Sequence, residues 1–172
     1  MECKRSYSEI NEDDLSELVK LSKLRIEKFF KSSSGMKWNR IYEYKKPLCI
    51  ALCQGSAMHY YDNKYGIKDF DIWFFYAFSK QHLPYRTIWN IDYINEKFGH
   101  NPDHQGYEGR KVDIIIRSIK NYINEDPIES IYEYFANEKT KSAIMLSKKA
   151  VVLLEPSRYL GKVIWYKGNR IK

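Results

Sequence analysis

Residues 53–75 read CQGSAMHYYDNKYGIKDFDIWFF, and the last third of that stretch decides how the chain is built. Asp69 and Asp71 open a segment whose other members, Phe70, Ile72, Trp73, Phe74 and Phe75, suit a protein core. Burying one carboxylate without a partner is costly, and burying two like charges together is worse. Side chains alternate across a strand, so Asp69 and Asp71 share one face while Phe70, Ile72 and Phe74 share the other. Beyond Asp71 the aspartate face continues as Trp73 and Phe75. Both faces therefore become apolar, which predicts a central strand that is polar only where it begins. A hard divalent cation stabilises such a carboxylate pair most readily, because Mg²⁺ takes oxygen ligands and is usually shared with substrate phosphates.

Working upstream, Pro47 introduces LCIALC, a short buried strand that ends at Gly55. Gly55 and Ser56 then sit where strand turns into helix, a place where free backbone N–H groups cradle phosphate oxygens. AMHYYDNK, residues 57–64, reads as a short helix stopped by Gly66. Downstream, VDIII at 112–116 is another apolar strand and carries Asp113 near its start. Whether Asp113 reaches Asp69 and Asp71 depends on strand register, which the sequence leaves open.

The flanks supply helices. Residues 11–31 place Leu15, Leu18, Val19, Ile26, Phe29 and Phe30 near helical spacing behind Asn11 as a cap. A less regular segment follows around Trp38 and Ile41. Pro127 opens a helical run through Phe135, a second covers about 139–150, and VVLL and GKVIWY read as closing strands. The stretch 81–109, rich in Asn, His, Tyr, Gly and Pro, reads as a long functional loop suited to an acceptor. This order predicts an α/β (α+β) fold with a mixed β-sheet flanked by helices.

A strand, Gly-Ser, a short helix, Asp-x-Asp on a second strand and a lone Asp on a third resemble the minimal nucleotidyltransferase superfamily, of the DNA polymerase beta type. The motif runs from QGS at Gln54–Ser56 to DFDI at Asp69–Ile72, and the resemblance covers about residues 48–119. It implies transfer of a nucleoside monophosphate from a nucleoside triphosphate to a hydroxyl on RNA, a protein or a small molecule, with Mg²⁺ or Mn²⁺ as cofactor. Asp69, Asp71 and Asp113 would then be the catalytic, metal-holding residues, with Gly55 and Ser56 on the phosphates. No arginine follows the Gly-Ser, a departure from the family pattern that leaves the terminal phosphates to Lys64 or Lys68. Arg110, Lys111 and Arg117 flank Asp113 as further phosphate contacts or as a solvated rim. The alternative is a non-catalytic nucleotide or nucleic-acid binding module, such as a component of a toxin–antitoxin-like system.

Composition sets bounds on these readings. The 172 residues are 44% hydrophobic, which suits one domain over 1–172 with a sizeable core. The longest apolar runs are too short to cross a bilayer and the start of the chain lacks an apolar signal region, so no membrane and a cytoplasmic location are expected. Three cysteines without framework spacing read as reduced thiols. Cys49 and Cys53 with His100 and His104 have a superficial zinc spacing, against which stands the placement of both cysteines in a buried strand. The formal charge of +7 fits a phosphate-bearing partner and equally fits codon drift in an AT-rich genome, and the 15 tyrosines suit stacking on bases but in a small domain are mostly half-buried packing residues. His59 is expected to pack on the short helix.

Overall fold

The computed structural model describes residues 4–32, 35–36, 46–78, 85–101, 106–120, 122–123 and 126–172, with 85–89 described by backbone alone. Helix α1 (Glu12–Lys31) starts at Asn11, whose side chain accepts from the Asp14 N–H while the Asp14 carboxylate accepts from the Asn11 N–H, both at 2.9 Å. Such a reciprocal cap is worth about 1 kcal/mol. Strand β1 (Cys49–Cys53) runs directly into helix α2 (Gln54–Asp62), which ends at Asn63 in the left-handed region before β2 (Phe70–Ala77). Then come β3 (Tyr85–Ile94), β4 (Gly109–Ile119), α3 (Pro127–Asn137), α4 (Lys141–Ser147), β5 (Ala150–Glu155), β6 (Lys162–Tyr166) and β7 (Asn169–Arg170).

The strands form one mixed sheet in the order β3-β4-β2-β1-β5-β6-β7. β2 pairs antiparallel with β1 and parallel with β4, so the aspartate-bearing strand is interior, as its two apolar faces require. One face, with Leu52, Ile72, Val112 and Ile114, packs against Leu15, Leu18 and Phe29 of α1 and Ala57 and Met58 of α2. The other, with Ala51, Trp73, Phe75 and Ile115, packs against Ile131, Tyr134 and Phe135 of α3 and Leu146 of α4. The expected α/β architecture with a mixed sheet is what the chain adopts.

Two elements differ from the sequence reading. The stretch 81–109 is not simply a loop: it contains β3, which pairs antiparallel with β4 from Tyr85↔Arg117 to Ile94↔Gly109. Residues 89–93 alternate apolar and polar, a strand pattern that the Asn, His, Gly and Pro content around it obscures, and the polar Asn90 and Asp92 are tolerated because β3 lies at the sheet margin, next to β4 alone. The second C-terminal helix is also shorter than 139–150, since Thr140 caps it and β5 begins at Ala150. Trp38 and Ile41 lie outside the described residues.

Residues 4–8 are tied down by contacts far along the chain. Ser6 and Ile67 exchange backbone hydrogen bonds of 2.9 and 2.7 Å. His59, fully buried on α2, accepts the Gly66 N–H at Nδ1 (3.1 Å), so its proton sits on Nε2 and is donated to the Ser8 carbonyl at 3.1 Å. The Ser8 hydroxyl donates to the Lys97 carbonyl at 2.6 Å.

Candidate active site

Strand register sets the centre of the site. Asp71 lies opposite Cys53 on β1 and opposite Asp113 on β4, and Asp113 lies opposite Asn90 on β3. Paired residues on neighbouring strands point to the same side of a sheet. Cys53, Asp71, Asp113 and Asn90 thus form one transverse row, on the face that Trp73 and Ile115 continue under α3 and α4. The row stands at the end of the sheet where β2 and β4 begin and β1 turns into α2. Asp69 sits just before β2, half-buried, with exposed Lys68 beside it.

Electrostatics bind the three aspartates into one group. Burial pushes the Asp71 carboxyl well above the ordinary carboxylate range, and the charges of Asp69 and Asp113 push it further. The Asp113 carboxyl is raised by burial and then by Asp69, against the opposing pull of Lys111 and Lys68. Lys68 therefore acts on the cluster through its field, while Lys64, whose N–H donates to the Asp62 carboxylate, is exposed on the turn after α2.

Gln54 is the residue that sequence reading missed. Its backbone φ of 61° lies in the left-handed region, an uncommon conformation for a non-glycine residue. From that turn its side-chain amide donates to Asp71 Oδ1 at 2.8 Å. The QGS motif drew attention to this position, but a contact with Asp71 follows only once Cys53 is known to face Asp71.

The neighbouring Gly55 and Ser56 behave differently from one another. Gly55 is half-buried in the first turn of α2, and a Cβ there would meet the Tyr65 ring at 3.7 Å, an ordinary contact. Ser56 is fully buried, and its hydroxyl donates back to the Cys53 carbonyl at 3.3 Å, so only its backbone is offered to a phosphate. Tyr65, over Gly55, accepts the Lys149 ammonium at 3.0 Å and lies against the Arg5 guanidinium, 5.4 Å from ring centre. The Lys149 hydrogen bond and charge lower the Tyr65 phenol from its usual range. Lys149 and Arg5 thus bring to the Gly55 turn two cations that spacing along the chain could not reveal.

The basic residues flanking Asp113 turn out to be engaged in the fold. Arg117 is buried and donates to Thr140 Oγ1 at 2.9 Å and to Glu138 Oε2 at 3.4 Å. Lys111 pairs with Asp92 across β3. Arg110 alternates to the opposite face and donates to backbone carbonyls. The zinc pattern dissolves too: Cys49 and Cys53 are buried free thiols four strand residues apart, about 13 Å along the strand. His104 lies outside the described residues.

Among the described residues, no three His, Cys, Asp or Glu side chains are gathered into a ready chelate. The row instead offers carboxylate oxygens, two of them in register and a third coupled by charge. That donor set fits Mg²⁺, which takes one or two carboxylates and completes its shell with water and substrate phosphates. Among the described residues no helix is long and apolar enough to cross a membrane. No family model, curated protein or solved structure matches this chain.

Proposed function

We propose that this protein is a metal-dependent nucleotidyltransferase that moves a nucleoside monophosphate from a nucleoside triphosphate to a hydroxyl acceptor. The observation that carries the reading is the in-register pair Asp71 and Asp113, with Asp69 coupled to both, beside the strand-to-helix turn at Gln54–Ser56. Asp69, Asp71 and Asp113 are the residues that would hold the cation. When bound, Mg²⁺ or Mn²⁺ offsets charge on the transferring and departing phosphates. Asp113, whose carboxyl burial and the Asp69 charge raise above its ordinary range, takes the acceptor O–H proton as general base. The acceptor oxygen forms a bond to the α-phosphorus as the bond to the bridging oxygen breaks, and pyrophosphate leaves. Backbone N–H groups at Gly55 and Ser56, with Lys68 and Lys149 near the turn, orient the triphosphate.

A second reading, a module that binds nucleotide or nucleic acid without turnover, draws on the Gln54 amide that occupies one Asp71 oxygen. Turnover separates the two. The full chain is incubated with each α-labelled nucleoside triphosphate, Mg²⁺ and total RNA or total protein, and label transfer and pyrophosphate release are measured. Transfer that EDTA abolishes supports the enzyme. Nucleotide binding without transfer to any acceptor supports the module.

A further inference from the structure

On the face of the sheet opposite the aspartate row lies a cavity of 380 Å³ bounded by three separate segments: residues 4–8, residues 96–100 and the start of β4. Its lining includes Lys4, Arg5, Lys97, His100 and Arg110, against Glu96 as the one acidic residue. Arg110 is 2% exposed. Its Nη1 donates to the Gly99 and Gly109 carbonyls at 2.7 Å each, its Nε to the Ile67 carbonyl at 3.3 Å and its Nη2 to the Lys4 carbonyl at 3.5 Å. Those bonds fix the guanidinium as a rigid wall and leave its charge in a poorly solvated setting, where it is screened less than a surface lysine would be. Lys97 is paired with Asp14, which cancels the net charge of that pair at a distance but fixes the ammonium in place. With Asp14 and Glu96 set against Lys4, Arg5, Lys97 and Arg110, the surround is still positive by two charges before His100 is counted.

Size points the same way as charge. Pockets for small ligands start at about 300 Å³, and a phosphate group with a small organic body fills the space observed. Arg110 shares its face with Val112 and Ile114, whereas Asp113 points the other way, so the cavity is separate from the aspartate row and owes nothing to metal chemistry. We propose that this cavity is a second site that binds the phosphate group of a small phosphorylated molecule. Arg110 and Lys97 form its preset wall and Lys4 and Arg5 its rim.

The test uses the full chain in EDTA, with inorganic phosphate and pyrophosphate as probes, titrated calorimetrically at low and fixed ionic strength. The wild type is expected to bind at least one of them, and Lys4→Glu, at the exposed rim, is expected to weaken binding at least 10-fold. Lys97→Gln should weaken it several-fold, its folding being checked by circular dichroism. Asp71→Asn should leave binding unchanged, which keeps this site distinct from the aspartate row. The proposal is overturned if neither anion binds in EDTA, if Lys4→Glu binds as tightly as wild type, or if Asp71→Asn abolishes binding.

Discussion

Gln54 donates its side-chain amide to Asp71 Oδ1 at 2.8 Å from a backbone turn with φ of 61°. A side chain that costs backbone strain to place, and that ends on a carboxylate of the row, orients that carboxylate. Gln54→Ala removes the amide and keeps the strain, whereas Gln54→Gly removes both. The glycine variant is expected to be more stable than the alanine variant by about 1 kcal/mol in urea unfolding. Both should lower nucleotide transfer by about 10-fold, the usual cost of losing an orienting partner. Equal stabilities would show that the turn is unstrained.

Asp71→Asn keeps shape and removes charge, so transfer should fall by orders of magnitude. Its effect on stability has a definite pH signature. Folding raises the Asp71 pKa, so the folded chain binds this proton more tightly than the unfolded chain and ionisation counts against the fold. The penalty is absent below about pH 4, grows as pH climbs toward the folded-state pKa and stays constant above it. In EDTA the variant should therefore match wild type in acid and exceed it at neutral pH. A variant less stable than wild type at pH 7 would mean that the carboxylate supports the fold.

Gly55→Ala tests the phosphate cradle. The added methyl finds ordinary room beside Tyr65, and alanine favours a helix over glycine by about 1 kcal/mol, so the variant should fold at least as well as wild type. If triphosphate approaches the backbone here, the methyl obstructs it, and KM for the nucleotide should rise at least several-fold. An unchanged KM removes this turn from the binding site.

The thiols give a chemical check on the buried sheet. Burial pushes the Cys49 thiol up, and Cys53 is raised by burial, by Asp71 and by Cys49. In a Cys3→Ser background, neither should react with a disulfide reagent in the native protein at pH 8, and both should react in urea. Fast native labelling of Cys53 would show that the row is open to solvent beneath Asp71.

Glu138→Ala should be the most damaging of these changes. The Glu138 carboxylate accepts from the Lys120 N–H at 2.9 Å and pairs with Arg117, and Glu138 and Arg117 are both buried. Losing it leaves a buried guanidinium without its carboxylate, at a cost of about 3 kcal/mol, seen as a lower urea midpoint.

What was legible in the sequence and what was not divides along a physical line. The cap at Asn11, the β1 strand before Gly55 and the interior place of β2 are local matters of alternation and capping, and each is where the residues put it. Strand β3 does carry a local signal, the alternation of Trp89, Asn90, Ile91, Asp92 and Tyr93, but it lies inside a stretch whose Asn, His, Gly and Pro content reads as loop. The Asp71–Asp113 register, the reach of Gln54 to Asp71 and the arrival of Lys149 over the Gly55 turn depend on which strands become neighbours. Pairing of that kind is a property of the whole chain and leaves no mark in a short window.

The anchoring of residues 4–8 by Ile67, His59, Lys97 and Arg110 sets the order in which the molecule is finished. This stretch leaves the ribosome ahead of all its partners, and each of its contacts closes a long loop, the slowest kind of contact to form. Its contact with Arg110 waits for β4 to be made and placed, so part of the chain made early is secured late. Until then the His59 ring and the Arg110 wall lack their cover.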